Sequence, residues 1–155
     1  MPRHAEKRVL PYSVEQVFDM VADVERYPEF LPWCLGCRVV SRAPGEIRAD
    51  LLIGFRVFRE RWHSRVLLDR PRQIDVEYVH GPFRHLENRW RFEPHPDGCL
   101  VDFYVDFEFR SKLLSRVIAG LFGEAVHHMV RAFETRARAI YGAPKTLESF
   151  SPTGR

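Results

Sequence analysis

Residues 99–109 constrain this chain more than any other stretch. Cys99, Val101, Phe103, Val105, Phe107 and Phe109 alternate with Asp102, Tyr104, Asp106 and Glu108. A period of two over this length is a strand with one dry face and one wet face. The strand pattern runs into a helical one. Leu114, Ile118, Leu121, Ala125, Met129, Phe133, Ala137 and Ile140 recur at steps of three or four, with Arg116, Glu124, His127, Arg131, Glu134 and Arg138 on the other side. The spacing predicts one helix from Lys112 to Tyr141, on the order of 40 Å long. Gly142 supplies its stop. An apolar strand face and an apolar helix stripe must each be covered, and each is the natural cover for the other.

The same period of two extends upstream. Ile47, Ala49, Leu51 and Ile53 share a face, as do Trp62, Ser64, Val66 and Leu68. Ile74, Val76 and Tyr78 form a third set, and Leu86, Asn88, Trp90 and Phe92 a fourth. Turn signals separate them: Pro44-Gly45, Arg70-Pro71, Gly81-Pro82 and Pro96-Asp97-Gly98. With a first strand near His4 to Leu10, the pattern predicts about seven strands in one antiparallel sheet. Between the first two strands, Ser13 and Gln16 form a capping-box pair ahead of Val14, Val17, Phe18 and Val21, so a short helix is expected to Ala22. The segment Tyr27-Pro28-Glu29-Phe30-Leu31-Pro32-Trp33-Cys34 is broken by two prolines and is apolar for a loop. The expected class is α+β.

A chain of 155 residues suits one domain, and 45% hydrophobic residues with twelve Phe suffice for a core. Residues 1–142 are expected to form that domain and 143–155 a mobile tail. The net charge of +3 is too small and too scattered to predict a DNA-binding protein. The charged start, from Met1 to Arg8, has no signal-peptide core, and no run approaches the roughly 18 apolar residues of a membrane span. A cytoplasmic protein is expected, touching membranes only from the side. Three cysteines give no disulfide framework.

A curved sheet around one helix leaves inward space that is either filled by Phe, Trp and Met or left as an apolar cavity, roughly 300 to 1,000 Å³ in ordinary ligand pockets. Gly120 and Gly123 interrupt the helical pattern, either for close packing or to leave room for a ligand.

Four stretches narrow the reading: Tyr27 to Cys34, Ala49-Asp50-Leu51-Leu52-Ile53-Gly54-Phe55, Phe58-Arg59-Glu60-Arg61-Trp62, and Gly81-Pro82-Phe83. With the phenylalanine-rich last strand and its helix, the chain resembles the START-like, helix-grip superfamily. Within it, the chain resembles the coenzyme-Q-binding branch, which also holds bacterial ribosome-association toxins. The resemblance covers about residues 3–142. It implies a seven-stranded sheet wrapped around a long C-terminal helix, with two short helical pieces near the N-terminus. It implies a carrier or chaperone of ubiquinone or another polyprenyl lipid in respiration, with the quinone as bound ligand and no required cofactor. Mitochondrial members carry a transit peptide, and this chain shows none, which suggests a bacterial relative.

On this reading the cavity is expected to be lined by Phe30, Leu31, Trp33, Leu51, Ile53, Trp62, Tyr78, Trp90, Val105, Phe107, Leu121, Ala125 and Met129. The indoles of Trp33, Trp62 and Trp90 offer both apolar walls and donor edges, or else are plain core. Phe55, Val57, Phe58, Pro82 and Phe83 are the expected gate, dipping into a bilayer with Arg56 and Arg59 at anionic headgroups; the competing account folds Phe55 and Phe58 into the core.

Rival chemistry has thinner support. Cys34 and Cys37 form a C-x-x-C that leads into a strand and lacks a second ligand pair, so no metal site is expected. His127 and His128 are adjacent and point apart on a helix. A cyclase or hydrolase in the same fold is the second alternative function, with no catalytic residues assigned. Glu60 and Asn88 share the inward pattern, Glu60 being the one candidate acid, more simply paired to an arginine. Ribosome association is the alternative partner reading. Arg59, Arg61 and Arg65 share a strand face and Arg131 and Arg138 a helix face, against acids on neighbouring strands.

Overall fold

The computed structural model describes residues 3–55, 58–120 and 122–142, with Phe55 and Phe58 described by their backbone only. Seven strands run in order along the chain: β1 (Arg3–Leu10), β2 (Cys34–Ala43), β3 (Glu46–Phe55), β4 (Phe58–Asp69), β5 (Gln73–His80), β6 (Phe83–His95) and β7 (Gly98–Phe109). They form one sheet in the order β1-β7-β6-β5-β4-β3-β2, and every neighbouring pair is antiparallel. Sequential hairpins build six strands, and β1 closes against β7 with Leu10 opposite Cys99.

Helix α1 (Val14–Ala22) starts at Ser13, whose hydroxyl accepts from the Gln16 N–H while the Gln16 side chain accepts from the Ser13 N–H. A 3₁₀ turn (Val24–Glu29) carries Pro28 and leads into β2. Helix α1 sits where the sequence places it, and the 3₁₀ turn begins earlier than the proline-broken segment, overlapping it at residues 27–29.

The C-terminal helical region is not one rod. Helix α2 (Lys112–Ala119) ends at Gly120, its C-cap, and α3 (Phe122–Tyr141) follows. A continuous apolar period hides such a break, because both helices turn the same kind of stripe inward. The glycines do not serve close packing either. A Cβ at Gly123 would meet nothing within 4 Å, and one at Gly120 would come no closer than 3.8 Å to the Val117 carbonyl.

Helix α3 is anchored at its C-terminal half. Phe133 and Ala137 are buried in the core with Leu10, Val14, Phe18, Val66, Ile74 and Phe92. The Tyr141 hydroxyl donates to the Gln16 carbonyl at 2.7 Å, and the Tyr12 hydroxyl to that of Gly142 at 2.8 Å. Arg136 pairs with Glu29 at 3.2 Å, and Glu134 with Arg8 at 2.9 Å. The N-terminal half of α3 has far less beneath it: between Phe122 and Met129 only Val126 is buried. This uneven seating leaves space between helix and sheet.

Candidate functional site

That space is a cavity of about 280 Å³. It extends from Val21 and Val24 at α1 to Leu114, Ile118 and Phe122 at α2 and the start of α3. Its wall is the inward face of the sheet, set by the period of two. Leu51, Ile53, Trp62, Val66, Ile74, Val76, Trp90, Phe103, Val105, Phe107 and Phe109 all lie on in-phase positions. A second void of about 50 Å³ lies beside it, sharing Trp90, Phe103, Met129 and Phe133 and reaching Arg8 and Glu134.

Ten of the expected wall residues border the cavity: Leu31, Trp33, Leu51, Ile53, Trp62, Trp90, Val105, Phe107, Ala125 and Met129. Leu121 lies outside the described residues. Phe30 and Tyr78 are not in the wall. Phe30 packs edge-on to Phe133, ring centroids 5.2 Å apart, with the Arg136 guanidinium 5.1 Å over its ring. It serves the helix clamp. Tyr78 accepts the Phe83 N–H on its hydroxyl at 3.0 Å and packs against the Phe83 ring, which fixes the β5–β6 turn.

Of the expected gate, Val57 and the side chains of Phe55 and Phe58 lie outside the described residues. Pro82 is half-buried at its turn. Phe83 is not a gate residue: it is 4% exposed, packed among Trp62, Phe107 and Phe109 in the cavity wall. It starts β6 opposite Phe109, and that pairing turns it inward. The sequence reading also missed Leu86, Phe103, Phe109, Leu114, Ile118 and Phe133. All six are in phase with residues it did select.

Few polar side chains reach the wall. Tyr27 donates its hydroxyl to the Val21 carbonyl, and burial raises its pKa, so it stays neutral. The Asn88 amide donates to the Tyr104 carbonyl at 3.0 Å and accepts the Trp90 indole N–H at 3.2 Å. Glu60 lines the cavity.

The cysteine pair sits in surroundings that favour the thiol over the thiolate. Burial pushes the Cys34 thiol up to about 11; burial, with Cys34 as neighbour, pushes Cys37 up to about 12. The thiolate is the reactive and ligating form, and these groups hold their protons. Among the described residues no group of three or more His, Cys, Asp or Glu could hold a metal ion. The arginine face of β4 is partly neutralised: Arg65 pairs with Glu46 at 3.1 Å and Glu77 at 2.7 Å.

An antiparallel sheet curled over a C-terminal helix, with an apolar cavity between them, defines a START-like fold of the helix-grip kind. A START superfamily protein from Mycobacterium smegmatis superposes with a TM-score of 0.76, at 23% identity over 89% of this chain and 98% of that one. The profile of the family described as polyketide cyclase / dehydrase and lipid transport matches residues 10–134, and the chain belongs to that family.

Among its relatives is the mitochondrial coenzyme Q-binding protein COQ10 homolog B of Xenopus laevis, 42% identical over 144 residues. That match covers 90% of this chain, which spans only 59% of the frog protein's length. The ribosome association toxin RatA of Escherichia coli is 35% identical over 144 residues, covering 92% of this chain and 91% of the toxin. The solution structure of an 18 kDa protein from Caulobacter crescentus is similar at a TM-score of 0.75 and 38% identity, over 92% of this chain and all (100%) of that one. An aromatase/cyclase from Streptomyces shares the fold, with a TM-score of 0.77 and 16% identity over 90% of this chain and 95% of the enzyme.

Proposed function

We propose that this chain binds ubiquinone or a closely related polyprenyl lipid, as a carrier or chaperone that supports respiratory electron transport. The observation that carries the reading is the 280 Å³ cavity, walled almost wholly by aliphatic and aromatic side chains. A cavity this apolar does not favour water and suits a flat apolar ring. Its volume lies at the lower edge of ordinary ligand pockets, roughly 300 to 1,000 Å³. That accommodates a head group but not a long isoprenoid tail, which would leave past α2. The kinship with the frog coenzyme Q-binding protein supports the choice of ligand.

Leu113 at the start of α2 is 60% exposed and sits between Lys112 and Arg116, one residue from the wall residue Leu114. This exposed apolar and basic face suits contact with an anionic bilayer during lipid exchange. Catalysis in the cavity would fall to Glu60, the one carboxylate in its wall among the described residues. Among the described residues no second acid or base lines the cavity, so binding without turnover is the simpler reading.

Titration with a short-chain ubiquinone, followed by tryptophan fluorescence, tests the proposal. Saturable quenching that is unchanged by moderate salt is expected, since burial of apolar surface is little screened. Absence of saturable quenching contradicts it. The likeness to the ribosome association toxin favours a second reading, contact with the ribosome. Tight, salt-sensitive co-sedimentation with ribosomes, without quinone binding, would establish that reading instead.

A further inference from the structure

Among the described residues, one buried side-chain polar atom has no hydrogen-bond partner: the indole Nε1 of Trp62. Three other polar side chains at the cavity have protein partners. Trp90 Nε1 donates to Asn88, Asn88 donates to Tyr104, and the Tyr27 hydroxyl donates to Val21. A buried donor left unmade is unfavourable, and native structures rarely retain one without a use.

The Trp62 ring is held in place. It stands on β4 opposite Leu51, meets the Phe83 ring edge-on at 5.3 Å, and lines the cavity. Gly81 closes against it: a Cβ there would lie 3.1 Å from the Trp62 Cα, and the glycine φ is +151°. The β5–β6 turn thus packs on the backbone of Trp62. The indole also borders the cavity, so a ligand seated there lies against it.

We propose that Trp62 Nε1 donates to an acceptor oxygen carried by an otherwise apolar ligand, so that the cavity selects carbonyl-bearing rings over hydrocarbons of the same shape. This rests on the reading of the cavity as a ligand site. Trp33 and Trp90 then act as wall, and Trp62 sets ligand orientation.

Two probes of similar shape separate the terms: menadione, which carries two carbonyl oxygens, and methylnaphthalene, which carries none. Their affinities are measured for the wild type and for Trp62→Phe. Comparing the change on substitution cancels the probes' different solubilities. The substitution is expected to weaken menadione roughly tenfold and methylnaphthalene less than about twofold, the size of one hydrogen bond to a buried donor.

A second readout does not depend on the variant's stability. Menadione should move the Trp62 indole N–H resonance of the wild type more than those of Trp33 and Trp90, assigned by elimination with Trp33→Phe and Trp90→Phe. Equal loss of both probes in Trp62→Phe, or an unmoved Trp62 resonance in menadione-saturated protein, overturns the inference and leaves the cavity reading standing. Failure of the wild type to bind either probe overturns both.

Discussion

Truncating Phe133 to Ala tests how the helix is held over the cavity. Phe133 is 6% exposed and meets three rings edge-on, with centroids 5.7 Å from Tyr27, 5.2 Å from Phe30 and 5.5 Å from Trp90. It joins α3 to the 3₁₀ turn and to the sheet together. Loss of a buried phenylalanine costs about 3–5 kcal/mol. The lost ring borders an existing void and the two spaces merge, so the site does not collapse; the upper half of that range is expected. In a domain of this size each kcal/mol lowers Tm by about 2–4 °C, so a fall of roughly 8–20 °C follows. Urea unfolding followed by circular dichroism gives the free energy directly. A cycle with Phe30→Ala should show a coupling of about 0.5–1.5 kcal/mol for the edge-on pair. A loss below about 1 kcal/mol for Phe133→Ala would refute the clamp, since a large buried aromatic in a packed core does not come out so cheaply.

Gly98→Ala should destabilise the β6–β7 turn by at least about 1–3 kcal/mol in thermal unfolding, because its φ is +139° and a Cβ would sit 2.2 Å from the Leu10 carbonyl oxygen. The Arg65 guanidinium, with Arg48, holds the Glu46 carboxyl below its ordinary value of 4.5. A depressed folded pKa stabilises above the unfolded value and is lost as pH falls through the folded one. Glu46→Gln should therefore lower the urea midpoint at neutral pH, with the difference from wild type closing well below pH 4.5. Leu113→Asp should weaken co-sedimentation with phosphatidylglycerol-containing vesicles several-fold while leaving Tm nearly unchanged, as expected of a side chain 60% exposed.

The strands and their inward faces were legible because period two is a direct readout of which side of a sheet is dry. Ser13 and Gln16 marked the start of α1 for an equally local reason: a capping box acts within four residues. The break between α2 and α3 left no such mark, since Leu114, Ile118, Ala125 and Met129 keep helical spacing across it. The composition of the cavity wall was only partly legible. Periodicity puts Tyr78 on an inward face but leaves Phe83 out of phase with Leu86 and Trp90; the register shift between Phe83 and His85 turns it inward, where it packs on Tyr78. Phe30 reads as an apolar loop residue, and only the placement of α3 shows that it belongs to the clamp around Phe133. The orphaned Trp62 donor was beyond the sequence altogether. All three tryptophans fall on plausible wall positions, and hydrogen-bond partners alone distinguish Trp62 from Trp90.

The central claim is that the cavity holds an isoprenoid quinone. Organic extraction of the protein purified from a quinone-producing host, followed by mass spectrometry, tests it most directly. The account predicts a co-purifying polyprenyl quinone that persists through a high-salt wash and is depleted in a Trp62→Phe preparation. An extract free of quinone and other isoprenoid lipid, from protein that also fails to take up added quinone, would contradict it.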